Sequence, residues 1–435
     1  MANQGVLLDL ICIFHNVWGG RISQRVPLKG TLPRCEKAAK SRSWQGYGYL
    51  TDGARERKSA PMNSINSGEI LDVSARRITV TLPRPVQLGA YLITTRGYCV
   101  TTVRLADGSV GHAFGLDRGV PVTECVNTII APLYKELFTG DPLSTWDAIY
   151  RRSSVSISSG AALRGFSLVD LAAHEAVAKS AGKTVAAHFG KSEKKIAKWA
   201  VIGYPPSRGP EDIAWEVKAA VAAGAQGVKL PVGLTPELTR ERIIAALDTK
   251  LCPVSTDLAF SCRTAEDAMK IVGGLDLAWV EDPFVSGSLM ELKKLRSLLD
   301  SPLASGDDET HLYHPQAFVE TGAVDILRID TTCQGGLSRL LQLNEYLAEK
   351  NMPVSWHVYD AWHSQVASIL DVESISIEYS APGASVDALA ELIVANRRVI
   401  GDESLTGWKF TMPELPDSVM GIDSDPDWEA LNLTN

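Results

Sequence analysis

From Ile196 onward, short apolar runs alternate with helical stretches of roughly 10 to 15 residues, and this alternation restricts the fold more than any other feature of the chain. Successive βα units of this kind pair as parallel strands with helices packed over them. Strands are expected at 198–203, 226–231, 252–257, 277–281, 302–307, 324–330, 353–357 and 374–379. Eight such strands close most naturally into a (β/α) barrel. The competing architecture, an open doubly wound sheet, wants a glycine-rich phosphate loop after its first strand, and none follows here. Neither a P-loop nor a G-x-S-x-G elbow stands in a suitable position.

A barrel uses roughly 250 residues, so a chain of 435 must build something else besides. Short β-branched runs begin near residue 72, at Arg77 to Leu82, Tyr98 to Leu105 and Ser109 to Phe114 around the turn Asp107-Gly108. They read as an antiparallel sheet. Helical patterns follow at 121–136 and from Ser167 to Ala181, where Leu168, Leu171, Ala172 and Val177 recur at helical spacing. The expected class is therefore α/β, a barrel preceded by a small α+β domain, with boundaries at 71–192 and 193–384. Residues 1–70 read as a loosely ordered extension, because 20–60 carry ten Lys and Arg among many Ser and Gly. An organelle leader is the alternative reading of that segment.

The net charge of −8 argues against nucleic acid as a partner, since phosphate binding needs a basic surface. It leaves room for a small anion met by a few local cations. Seven cysteines, scattered and without a C-x-x-C pair, fit reduced thiols and a cytoplasmic location. The apolar run from Gly5 to Phe14 contains Asp9 and is too short to cross a bilayer, so no membrane partner is expected.

Ionisable residues stand at the ends of successive expected strands, where barrel enzymes carry their chemistry. Asp257, Glu281 and Asp307 end strands three, four and five of the barrel. Three carboxylates aimed at one point repel each other unless a cation neutralises them. An all-oxygen set without His or Cys favours Mg²⁺. The bland reading of each is a helix cap, a common role for Asp and Glu just after a strand. Strand six ends in Asp330 and strand seven in His357, and an aspartate on one imidazole nitrogen makes the other a general base. Strand two carries Lys229, which beside the carboxylates reads as a clamp for a substrate carboxylate or as an electrophile. Strand eight offers Glu378, which, if kept protonated, would donate a hydrogen bond to a developing enolate oxygen.

Several segments resemble the mandelate racemase branch of the enolase superfamily: Trp279-Val280-Glu281-Asp282-Pro283-Phe284, Ser305-Gly306-Asp307, Arg328-Ile329-Asp330 before Gly335-Gly336, and Pro353-Val354-Ser355-Trp356-His357. Leu168 to Glu175 is similar to the helix that ends the capping domain of that branch. The resemblance spans roughly residues 72–400. It implies that the α+β domain, with residues 385–435 returning to it, closes over the barrel mouth. It also implies that two cap loops, about Pro83 to Tyr98 and Gly111 to Pro121, set specificity, which nominates Arg84, Arg96, His112 and Arg118 as substrate contacts. Ordinary surface residues are the alternative for each. Homo-oligomerisation is compatible with a barrel of this type.

Three departures from the family pattern stand out. Strand five usually presents Gly-Glu, whereas here Gly306-Asp307-Asp308-Glu309 leaves Glu309 as a rival ligand. Many racemases carry Lys-x-Lys on strand two, and the place of the second lysine is Pro231. Residues 1–70 match nothing in the family. Racemisation wants a base on each face of the substrate, while syn elimination of water needs only one group acting first as base and then as acid. The expectation is an acid-sugar dehydratase, similar on strand two to L-rhamnonate dehydratases, acting on an aldonate or aldarate. A racemase, epimerase or lactone cycloisomerase of the same superfamily is the alternative. A catalytically inactive barrel that binds sugar acids is the second.

Overall fold

The computed structural model describes residues 69–380 apart from 89, 90 and 193, so residues 1–68 of the expected extension and the segment 385–435 lie outside the described residues. The β-branched runs build a three-stranded antiparallel sheet in the order β1 (Ile70–Leu88), β2 (Tyr91–Leu105), β3 (Val110–Leu116). Its first two strands are longer than their apolar runs suggest. Pairing continues past Val80↔Arg96, shifts register between Thr81 and Val86, and resumes. Pro83 and Pro85 fall inside that shift, where a residue without an N–H does not break the ladder.

Helices follow in chain order: α1 (Val122–Cys125), a π-helical turn (Val126–Ile130), α2 (Ala131–Leu137), α3 (Pro142–Ile157), α4 (Gly160–Ser180) and α5 (Val185–His188). Helix α3 has no counterpart in the sequence reading. It starts at Asp141, whose carboxylate accepts from the Ser144 N–H as an N-cap, with Pro142 at the first turn.

The rest of the chain alternates strand and helix: β4 (Lys198–Val201), α6 (Pro210–Ala222), β5 (Gly227–Pro231), α7 (Pro236–Asp248), β6 (Val254–Asp257), α8 (Ala265–Val272), β7 (Trp279–Glu281), α9 (Leu289–Arg296), β8 (Leu303–Ser305), α10 (His314–Thr321), β9 (Ile326–Ile329), α11 (Gly336–Glu349), β10 (Val354–Trp356), α12 (Asp360–Ile369) and β11 (Ser374–Ser380). The eight strands β4 to β11 close into a barrel, each paired in parallel with its neighbours. Trp199 and Trp279, with ring centroids 4.1 Å apart, join Ala304 and Ile326 in a small apolar cluster of their own, separate from the main core.

Helix α4 ties the antiparallel domain to the barrel. It is buried along most of its length. On one side the Thr101 hydroxyl lies 3.1 Å from the Leu168 carbonyl. On the other, Asp170 accepts from the Ser338 N–H (2.9 Å) and hydroxyl (2.6 Å), while Ser167 Oγ accepts from the Gly335 N–H. These N–H groups belong to the first turn of α11, which lacks partners inside its own helix, so α4 caps a barrel helix from outside it. Burial pushes the Asp170 carboxyl up to about 7, partly offset by the Ser338 and Tyr134 hydrogen bonds.

The approach of β3 to α4 depends on Gly111. A Cβ there would overlap the Ala172 carbonyl and lie 2.5 Å from the Ala176 nitrogen, both rigid helix backbone. Gly111→Ala is expected to destabilise the fold by about 1 to 3 kcal/mol as overpacking does. Urea denaturation measures this, and an unchanged midpoint would show that strand and helix slide apart without cost.

Candidate active site

Strand register explains why residues far apart in sequence meet. Pro231 pairs with Asp257 and Asp257 with Glu281, so the ends of β5, β6 and β7 stand side by side. Asp307 follows β8 by two residues. Between them Gly306 adopts φ +132°, and a Cβ there would sit 2.7 Å from the Arg328 carbonyl, so this turn requires glycine. Asp257, Glu281 and Asp307 present carboxylate oxygens that all lie within 4.8 Å of one another, a set able to hold a metal ion. Glu309 points elsewhere. It accepts from the Ser286 hydroxyl (2.6 Å) and the Gly287 N–H (2.8 Å) and pairs with His314.

Below the carboxylates lie two buried cations. Lys229 Nζ is 2.6 Å from both Glu281 and Glu378 and 3.6 Å from Asp257. Arg328, fully buried, sits 2.6 Å from Glu378 and 3.1 Å from Glu281, and donates to Ser355 Oγ. Burial alone would lower the Lys229 pKa, but Glu281 and Glu378 raise it above the usual lysine range, so the amine stays charged. Burial likewise works to raise the Glu378 carboxyl, and Arg328 and Lys229 overrule it, holding the group at about 2. This corrects the expectation of a protonated Glu378. Flanked by two cations, it is ionised and accepts hydrogen bonds, and it has no proton to give. For Glu281 burial prevails over Arg328 and Lys229 and pushes the carboxyl up to about 7. Among the described residues, the permanent cations in ion-pair contact with the four carboxylates Asp257, Glu281, Asp307 and Glu378 are Lys229 and Arg328, a formal deficit of two positive charges within that cluster. A divalent cation fits that deficit.

Asp330 and His357 end adjacent strands, β9 and β10. Asp330 Oδ2 lies 2.9 Å from His357 Nδ1, and its other oxygen accepts from the Thr332 N–H and hydroxyl. That leaves His357 Nε2 turned toward the carboxylates, 3.6 Å from Asp307. Burial lowers the imidazole pKa, but Asp307 and Asp330 outweigh it and raise it to about 9. The next turn is held by His363, whose Nδ1 donates to the Val358 carbonyl while Nε2 accepts from the Thr331 N–H. Burial pushes His363 down to about 4, so it is a neutral strut between β9 and the loop after His357.

A cavity of about 170 Å³ opens over this group. Lys229, Asp257, Asp307, His357 and Glu378 line it from the barrel, and Arg96, Leu116 and Arg118 from the antiparallel domain. Of the residues expected to touch substrate, Arg96 and Arg118 are thus in its wall. Arg118 is already engaged, 2.5 Å from Asp308, which also pairs with Arg164 of α4 at 2.5 Å. His112 is not in the wall. It sits mid-strand in β3, buried, with Nδ1 3.1 Å from Thr102 Oγ1 and its N–H donated to Glu175, so the expectation of substrate contact is corrected for it. The side chain of Arg84 lies outside the described residues.

Sequence reasoning passed over Arg328, although period-two spacing from Asp330 was a signal for it. It also passed over Asp308 and Arg164, which have no such signal because their contact spans 144 residues.

Fold and site together define a closed (β/α)-barrel protein with an antiparallel cap, the fold seen in enolase-superfamily structures. Residues 212–409 match the family model described as Enolase C-terminal domain-like. The chain is similar to arabinonate dehydratase of Saccharolobus solfataricus, 24% identical over 268 residues that cover 59% of this chain and 71% of that protein. It is similar to L-rhamnonate dehydratase of Saccharopolyspora erythraea, 24% identical over 267 residues covering 59% of this chain and 66% of that protein. Among solved structures, an enolase from alpha pretobacterium bal199 with bound magnesium superposes with a TM-score of 0.68 at 20% identity, covering 84% of this chain and 99% of that one. No helix among the described residues is long and apolar enough to cross a membrane.

Proposed function

We propose that the protein is a Mg²⁺-dependent acid-sugar dehydratase, which removes the proton alpha to a carboxylate of an aldonate or aldarate and expels the β-hydroxyl as water. The observation that carries the reading is the presence of one competent base. Among the described residues lining the cavity, His357 alone turns a ring nitrogen to the cavity with a carboxylate behind it, and a cation held by Asp307 would offset the charge that otherwise keeps that nitrogen protonated. Lys229 is held protonated by two glutamates and cannot accept a proton, and Pro231 offers none. A single group on one face suits syn elimination, in which His357 takes the α-proton and returns it to the departing hydroxyl. Asp330 fixes the imidazole tautomer so that Nε2 is the working nitrogen. Lys229, charged and buried, supplies positive charge where the substrate carboxylate gains electron density.

Asp257, Glu281 and Asp307 are the residues proposed to hold Mg²⁺, whose bound charge would stabilise the same oxygens as a Lewis acid. The relatives named above as dehydratases support the reaction class, and the magnesium-bound enolase supports the ion.

The test is a screen of the purified protein with Mg²⁺ against aldonates and aldarates, reading 2-keto-3-deoxy acid formation. Chelation is expected to abolish turnover and lower the Tm, with Mg²⁺ restoring both; at a hundredfold excess over Kd the restored stability is about 2.7 kcal/mol. Asp307→Asn should lose most of the ion's stabilising effect and Glu309→Gln little of it. Full activity in excess chelator would sink the proposal.

A further inference from the structure

We infer that Arg96 receives a second carboxylate at the far end of the substrate, so that the acid this cavity takes is a dicarboxylate of the aldarate kind; the inference rests on the dehydratase reading above. Each of the other cationic side chains in the cavity wall already has its counter-charge. Lys229 lies 2.6 Å from Glu281 and from Glu378, Arg118 lies 2.5 Å from Asp308, and His357 lies 2.9 Å from Asp330. Arg96 differs. Among the described residues no carboxylate pairs with it, and its Nε is shielded from solvent without a hydrogen-bond acceptor.

A guanidinium keeps its charge throughout the physiological range. Lining a cavity without a counter-charge among the described residues, it is stabilised by an anion arriving from solution, and its planar fork suits a carboxylate best. Its position adds the second half of the case. Arg96 comes from β2 of the antiparallel domain, opposite Val80 in the sheet. Lys229, Asp257 and Asp307 come from the ends of barrel strands or the turn just beyond. The carboxylate that undergoes chemistry belongs at the barrel end, so the group that reaches Arg96 is the opposite terminus of the same molecule. Arg96 and the barrel-end groups line one and the same cavity, so a molecule bound in it meets both ends. An aldonate would bring a neutral CH₂OH to Arg96 and leave the guanidinium without its counter-charge.

The experiment pairs each C6 aldarate with the C6 aldonate of the same configuration, using the full chain with Mg²⁺. Two quantities are read, kcat/KM and the rise in Tm that each acid produces. Wild type is expected to favour the diacid by roughly 30-fold, the worth of one charged hydrogen-bonded contact. Arg96→Met should reduce that preference by a similar factor, and Arg96→Lys should recover part of it because the charge returns without the fork. Equal use of both acids by wild type, or an equal loss on both in Arg96→Met, overturns the inference and leaves dehydration intact. Stabilisation by diacids alone, dependent on Arg96 but without turnover of any acid, upholds the inference and overturns the dehydratase reading. The wild-type ratio decides the matter even if Arg96→Met proves insoluble.

Discussion

His357→Asn is expected to lower kcat by about 10³-fold, within the range that a positioned general base contributes, and to stop exchange of the substrate α-proton with solvent deuterium. Both effects follow from one geometry. His357 Nε2 faces the carboxylate cluster while Nδ1 is tied to Asp330 at 2.9 Å, and Lys229, which lines the same cavity, is locked between Glu281 and Glu378. Asparagine is smaller and neutral, and Asp330 keeps its hydrogen bonds from Thr332, so the loss is one of proton transfer and not of folding. Asp330→Asn should be milder, slowing the reaction by disorienting the ring and lowering its basicity. NMR of recovered substrate in deuterium oxide is the decisive measurement. Continued α-exchange by His357→Asn would reveal a second base, and a racemase or epimerase would then explain the site better.

The largest stability effect is expected at Arg328. Its side chain has no solvent exposure and holds Glu281 and Glu378, which have none either. Arg328→Met removes the cation and leaves two buried carboxylates sharing Lys229, and breaking a buried ion pair on one side costs about 3 to 5 kcal/mol. The double variant Arg328→Met with Glu378→Gln removes both partners and should recover a substantial part of the loss, which a double-mutant cycle in urea would measure. A single variant within about 1 kcal/mol of wild type, the scale of an exposed ion pair, would mean that the guanidinium does not balance these charges.

The barrel was readable because its strands are short, apolar and bounded by ionisable residues. The expected strand at 226–231 is observed as Gly227–Pro231, and that at 353–357 as Val354–Trp356. The antiparallel hairpin was read too short, since the apolar run ends at Leu82 while backbone pairing continues to Leu88. Helix α3 was invisible because its serines and arginines dilute the apolar face of Trp146, Ile149 and Ile157. The charge state of Glu378 could not be read at all. It is decided by Lys229 and Arg328, 149 and 50 positions away in sequence, and a carboxyl in an apolar strand looks protonated until its neighbours are known. Arg96 showed the opposite behaviour: its residue type hinted at anion binding, and only the pairing of every other wall cation makes it distinctive.

Because Asp170 and Ser167 of α4 complete the first turn of α11, and one continuous apolar cluster runs from Val73 and Phe114 through Phe166 to Leu340 and Trp356, the covering domain is no hinged lid. It is built into the foundations of the barrel. Neither part is a module that recombination could exchange alone, and a graft of the covering domain from a relative would have to bring the matching end of α11 with it. The described residues should accordingly melt in one transition. Diversification of such a protein is then confined to the side chains that overhang the cavity, while the joint beneath them stays fixed.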